Sequence, residues 1–393
     1  MMRIPITFTL VVLLCEVFLC AGLSAPAKAQ GDPVQPSTRE AMGEIFASVQ
    51  TLLLLSLEDG ALADPANTSA LNRALARLEE YSSELAQHGQ GKSEASFTFF
   101  SRSLADDARA LGEHFSSGPP AESRRLLYQL IESCIGCHSR LPSKEDSTLS
   151  VRLTRDPRVA KLPPEERVRL QVATRQYDSA LLTYEAILAS PDFTPQDMEL
   201  LGILDDYLEL CLHVRGGSQR ARSALQTLSK RSDVPPALQG DLREREEALA
   251  ALGKIEAAAD LARARALVLE GEAIARDRPE RSGIVQYLVA SAILHRIVAD
   301  PSRTSRELAE AYYLLAVVSS RVGRVYWPSP EELYLASAIE LAPGSDTARE
   351  AYRLLEELVT FGYTGSAGTR IPPELRAKLE ALRRLAYAEA PSK

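Results

Sequence analysis

The 393-residue chain has little cysteine, almost no tryptophan and no basic excess: five cysteines, one tryptophan, and 45 lysines and arginines against 53 aspartates and glutamates. Five cysteines are too few for a disulfide scaffold. A net charge of −8 removes the electrostatic footprint of a nucleic-acid binder. No stretch shows the strict alternation of a half-buried strand. Beyond the first thirty residues no apolar run is long enough to span a bilayer. A second CxxC, a nucleophile elbow and a paired-carboxylate signature are all missing. What is present is 45% hydrophobic and 25% charged residues, enough for a sizeable core in two or three domains.

The first 29 residues read as a signal peptide. A basic start at Arg3 precedes the apolar run Ile6–Leu23, and Ala27-Lys28-Ala29 gives an A-x-A cleavage pattern before Gln30. Glu16 inside the run is costly for a permanent membrane helix. Cys20 invites a lipid anchor, but Leu19 before it is bulky where that processing wants a small residue. Losing Arg3, Lys28 and Glu16 takes the net charge from −8 to −9 and leaves Cys134, Cys137 and Cys211. The expected location is the periplasm.

The remaining chain predicts an all-α fold. Residues 30–142 form one expected domain, with four long helices. The first starts at the capping box Ser37/Glu40 and carries Met42, Ile45, Phe46, Val49, Leu52 and Leu53. The second carries Leu71, Leu75, Leu78, Ser82 and Leu85. The third starts at Ser93 with Phe97, Phe100, Leu104, Ala108, Leu111 and Phe115. The fourth follows Gly118-Pro119-Pro120 with Leu126, Leu127, Leu130, Ile131 and Cys134. Short connections favour an antiparallel bundle. Residues 143–164, polar and proline-flanked, predict a linker or a draped connection. Residues 165–393 predict about ten shorter helices in pairs. There Tyr177-Asp178-Ser179-Ala180 runs on to Tyr184, Ile187 and Pro191. A split copy has Tyr312, Leu315 and Ala316, then Ala338 and Pro343 beyond a long loop with Trp327-Pro328. Leu294 to Pro301 is a weaker echo. The spacing resembles the tetratricopeptide repeat, whose stacked hairpins make an α-solenoid.

Chemistry concentrates in Cys134-Ile135-Gly136-Cys137-His138. Cysteines at i and i+3 of a helix project from one side. Each thiol can add across a vinyl group of haem, and the next residue, His138, then stands as proximal iron ligand. Such attachment happens outside the cytoplasm, in keeping with the leader. A thioredoxin-like reading lacks its strand–helix context, and a zinc site lacks a fourth ligand.

Over Ser37–Pro142 the arrangement, with CxxCH closing the fourth helix, resembles the cytochrome c′ family. The resemblance implies one covalent haem c and a distal residue supplied by the first helix. Met42 falls there and is the candidate distal ligand, with core packing as its alternative role; His88, His114 and Met198 are weaker candidates. Pro142 stands where the family usually carries a basic residue, so the proximal electrostatics depart from the pattern. Phe97, Phe100, Phe115 and Tyr128 are candidate haem walls or ordinary core. Cys211, His213 and His295 read as structural, and Gly362–Gly368 follows a helix rather than a strand, unlike a phosphate cradle.

The function expected is a non-enzymatic electron carrier, its repeats docking a redox protein or a membrane respiratory complex. The alternatives are a haem-based NO or CO binder with an open distal face and a periplasmic repeat scaffold with accessory haem. Leu52–Leu55, apolar all round, suits a homodimer or burial under the repeats.

Overall fold

In the computed structural model, Ser37 opens helix α1 (Thr38–Ser56). Its hydroxyl accepts from the Glu40 N–H at 3.3 Å, while Glu40 Oε2 accepts from the Ser37 N–H at 2.8 Å. Two donors with no partner inside the helix are thereby satisfied. The structure describes residues 37–88, 95–117, 120–140, 147, 150–200, 202–252, 260–277, 282–322, 330–366 and 368–389. The leader with Cys20, the Ser93 helix start, Pro142 and Trp327-Pro328 lie outside them.

After α1 the chain turns at Gly60, whose φ of +74° suits a residue without Cβ. Helix α2 (Thr68–His88) buries the stripe Leu71, Leu75, Leu78, Ser82 and Leu85, one side of a 3.6-residue period. Helices α3 (Ala95–Ser117) and α4 (Pro120–Arg140) complete this region. Successive helices pack on one another, and α1 also packs on α4. The Arg124 guanidinium donates to the Ser56 carbonyl, joining the start of α4 to the end of α1.

Beyond residue 150, helices α5 (Val151–Thr154) and α6 (Pro157–Ala160) bury Leu153 and Val159 completely. The chain continues as α7 (Pro164–Ala173), α8 (Tyr177–Ala189), α9 (Pro195–Leu200) and α10 (Ile203–Glu209), which runs into a π turn at Leu210–Val214. Then come α11 (Ser218–Ser229), α12 (Pro236–Ala251), α13 (Leu261–Asp277), α14 (Ile284–Val298), α15 (Ser305–Val322), α16 (Glu331–Leu341), α17 (Asp346–Gly362) and α18 (Pro373–Ala386). Prolines open α7, α12 and α18, where a missing N–H costs nothing. Helices pack pairwise, α7 on α8, α11 on α12, α13 on α14 and α15 on α16. The residues with repeat spacing are core: Tyr177, Ala180, Tyr184, Ile187, Tyr312, Leu315, Ala316 and Ala338 are all buried. Among the described residues the only strands are Thr364–Gly365 and Gly368–Thr369, a two-residue antiparallel pair. The fold is all-α, and no described helix is long and apolar enough to cross a membrane.

Residues 36–393 form one compact unit, and a single apolar cluster runs from Ala41 to Ala386. Polar contacts cross between its early and late parts. Tyr128 on α4 donates to Glu166 on α7 at 2.9 Å, and Arg169 on α7 donates to Glu132 on α4 at 2.8 Å. At the start of α3, the Ser96 and Tyr334 hydroxyls lie 2.9 Å apart, and the Ala95 N–H donates to the Tyr312 hydroxyl at 3.1 Å. Helix α4 thus packs against helices from both parts of the chain.

Candidate functional site: the CxxCH turn of α4

Cys134, Cys137 and His138 occupy the last two turns of α4. Spacings of three and four residues put both sulfurs and the imidazole along one side of the helix. Neither cysteine is in a disulfide. Burial pushes the Cys134 thiol up to about 12, and the carboxylates of Asp107 and Glu132 add to the effect. Reactive redox cysteines and thiolate metal ligands need the opposite shift. Among the described residues no group of three or more His, Cys, Asp or Glu side chains is arranged to hold a metal ion. The raised Cys134 thiol weighs against a dithiol oxidoreductase.

His138 is held from outside its own helix. Its Nδ1 lies 2.8 Å from the carbonyl oxygen of Ala173, 35 residues away in sequence. That acceptor is available because of how α7 ends. The Gln176 N–H donates to the Gln171 carbonyl at 2.7 Å and the Arg175 N–H to the Val172 carbonyl at 3.0 Å. This is a Schellman motif, with Arg175 in the left-handed position that glycine usually takes. The motif leaves the later carbonyls to other donors. Ala173 accepts from His138, Thr174 from the Ser150 hydroxyl at 2.7 Å, and Arg175 from the Ser147 N–H at 2.9 Å.

A carbonyl can only accept, so Nδ1 must carry the hydrogen. Burial lowers the His138 pKa to about 4; the Ala173 hydrogen bond opposes the shift and the Arg175 charge adds to it. The ring is therefore neutral near pH 7, with its lone pair on Nε2. A carbonyl that fixes the tautomer and leaves the lone pair on the other nitrogen is what a metal-ligating histidine commonly has. The backbone of His138 is held too: the Tyr177 hydroxyl donates to its carbonyl at 2.9 Å. The next residue, Ser139, is buried and donates to Glu209 at 3.1 Å.

The other candidates disperse. Met42 is partly buried against the core in the early turns of α1. It lies fourteen residues before Ser56, and His138 lies fourteen after Arg124, the residue that Ser56 meets. At 1.5 Å per residue each lies about 21 Å along its own helix from that contact. Phe100 packs on Gly136, two residues and some 200° around the helix from His138. Tyr128 faces α7, while Phe97 and Phe115 are partly buried against the core. His88 ends α2, His114 lies 3.8 Å from Glu122, and Met198 is buried in α9. Cys211 is buried in the π turn, and His213, also in that turn, packs edge-on against His295 at 5.2 Å. In the glycine-rich stretch, Gly362 ends α17, and Gly365 and Gly368 face each other in the two-residue strand pair.

Ala173, Arg175 and Tyr177 are the residues that sequence reasoning did not connect to the motif. Tyr177 stood out only as a repeat position, and a backbone carbonyl carries no residue-type signal. Comparisons with protein-family models, curated proteins and solved structures find no match for this chain.

Proposed function

We propose that the chain is an exported monohaem c-type cytochrome. In this reading α1–α4 form a cytochrome c′-like antiparallel bundle, and α7–α18 form a tetratricopeptide-like solenoid. Cys134 and Cys137 would hold one haem c through thioether bonds, His138 Nε2 would be the proximal iron ligand, and Met42 the distal one. The observation that carries the reading is the His138–Ala173 hydrogen bond. It leaves Nε2 with its lone pair, on the helix side that also bears two cysteines outside any disulfide.

Bound there, haem would supply one-electron chemistry at its iron. The chain's own residues fix the imidazole and place charges around it. The function proposed is electron exchange in the periplasm, with the repeats docking a redox protein or a respiratory complex. The acidic chain would favour a basic partner, most strongly at low salt.

The test is expression of the full chain with haem-maturation machinery, followed by haem staining of the denatured protein. A haem-stained band that disappears in the Cys134→Ala/Cys137→Ala variant supports the reading. A wild-type protein that matures without covalent haem ends it.

A further inference from the structure

Arg175 is the only non-glycine residue with a positive φ, +57°, among the described residues. A left-handed backbone costs a side-chain-bearing residue about 1 kcal/mol or more, and glycine would occupy this place without cost. An arginine retained here points to work done by its side chain. Its guanidinium hydrogen-bonds the Tyr177 hydroxyl, which in turn donates to the His138 carbonyl. A second cation, Arg215, sits over the Tyr177 ring at 5.4 Å. The α7–α8 turn therefore meets His138 in three ways: through an acceptor at Nδ1, a donor at the carbonyl and a positive charge beside them.

We propose that this turn, Ala173–Tyr177, is the proximal wall of the haem site. Ala173 and Tyr177 act as positioning residues for His138, and Arg175 is the charge that tunes the iron. The proposal rests on the c-type haem reading above. It places control of the potential in the first repeat hairpin rather than in the helices α1–α4. It also supplies, from another part of the chain, a proximal cation that position 142, a proline, cannot provide.

The two influences have opposite signs. A carbonyl at Nδ1, at the negative end of α7, makes His138 a stronger donor and favours Fe(III). The Arg175 cation favours Fe(II). Removing it should lower the midpoint potential.

The experiment uses the full chain with its covalent haem. Arg175→Gly keeps the left-handed backbone and removes the charge; Arg175→Lys keeps the charge. The glycine variant should shift the ferrous-to-ferric ratio at fixed ambient potential about tenfold toward ferric, about 59 mV for one electron, and the lysine variant should restore it. Tyr177→Phe should change the ferric EPR g values, because it releases the His138 carbonyl. Tyr184→Phe, on the same helix but bonded to Asp206, should leave them in place. A haem-loaded Arg175→Gly protein with the wild-type potential, or unchanged g values in Tyr177→Phe, overturns the proposal while the cytochrome reading stands. A wild-type chain without covalent haem removes both.

Discussion

The Phe100 ring lies directly on the backbone of Gly136, so that a Cβ built on that glycine would meet Phe100 Cε1 at 2.8 Å. The ring is buried and has little room to swing. Phe99 packs edge-on against it at 5.2 Å, and the Arg140 guanidinium covers it at 5.5 Å. Gly136→Ala should therefore destabilise the chain. Overpacking costs about 1–3 kcal/mol, while the gain in helix propensity is at most about 1. Phe100→Leu in the same chain should recover part of the loss. Urea midpoints decide it, and a Gly136→Ala variant as stable as wild type would show that the close approach carries no weight.

Asp205 on α10 and Arg245 on α12 form an ion pair at 3.3 Å, with side chains only 9% and 10% exposed. Removing one partner strands the other charge in the interior. Asp205→Ala should cost about 3–5 kcal/mol, whereas Asp205→Leu/Arg245→Leu should cost far less, because no charge is left uncompensated. Equal losses in the single and double variants would mean that packing, not charge, sets the energy of the site.

The helices were legible because their signals are local. The Leu71–Leu85 stripe and the Ser37/Glu40 box are written within one or two turns, and both stand in the structure as read. The CxxCH turn was legible as residue types at fixed spacing. Its surroundings were not. Ala173 contributes a main-chain oxygen exposed by a Schellman ending, and the arginine at that motif's left-handed position hides the glycine signal that would have marked it. Residues 143–164 read as polar and proline-flanked, yet Leu153 and Val159 bury fully through contacts that no local period announces. The π turn at Leu210–Val214 likewise has no local sequence signal that marks it.

His213 sets an expected pH dependence. Burial holds its pKa well below the ordinary value, and the neighbouring His295, Arg140 and Arg296 lower it further; the hydrogen bond with Ser291 opposes them. The folded chain keeps this ring neutral, while the unfolded chain takes up a proton below about pH 6.5. The unfolded state then binds more protons, so stability is full above that pH and falls as the pH drops below it. The slope from this one group is at most about 1.4 kcal/mol per pH unit. His213→Phe should flatten the urea midpoint between pH 6.5 and pH 5 relative to wild type. An unchanged slope would place the acid sensitivity elsewhere.

In the proposed cytochrome, Met42 would decide whether the iron is closed. If its thioether fills the sixth position, the wild-type ferrous spectrum is low-spin and does not change with CO. Met42→Leu nearly keeps the volume, so the fold should lose under about 1.5 kcal/mol while the sulfur is gone. That variant should become high-spin, bind CO and shift to a lower potential, because a thioether ligand favours Fe(II). A Met42→Leu protein that stays low-spin and inert to CO would assign the sixth position to another residue. A wild-type protein that binds CO would mean an open distal face. Met42 would then be an ordinary core residue of α1, and the electron carrier would give way to a haem-based NO or CO binder.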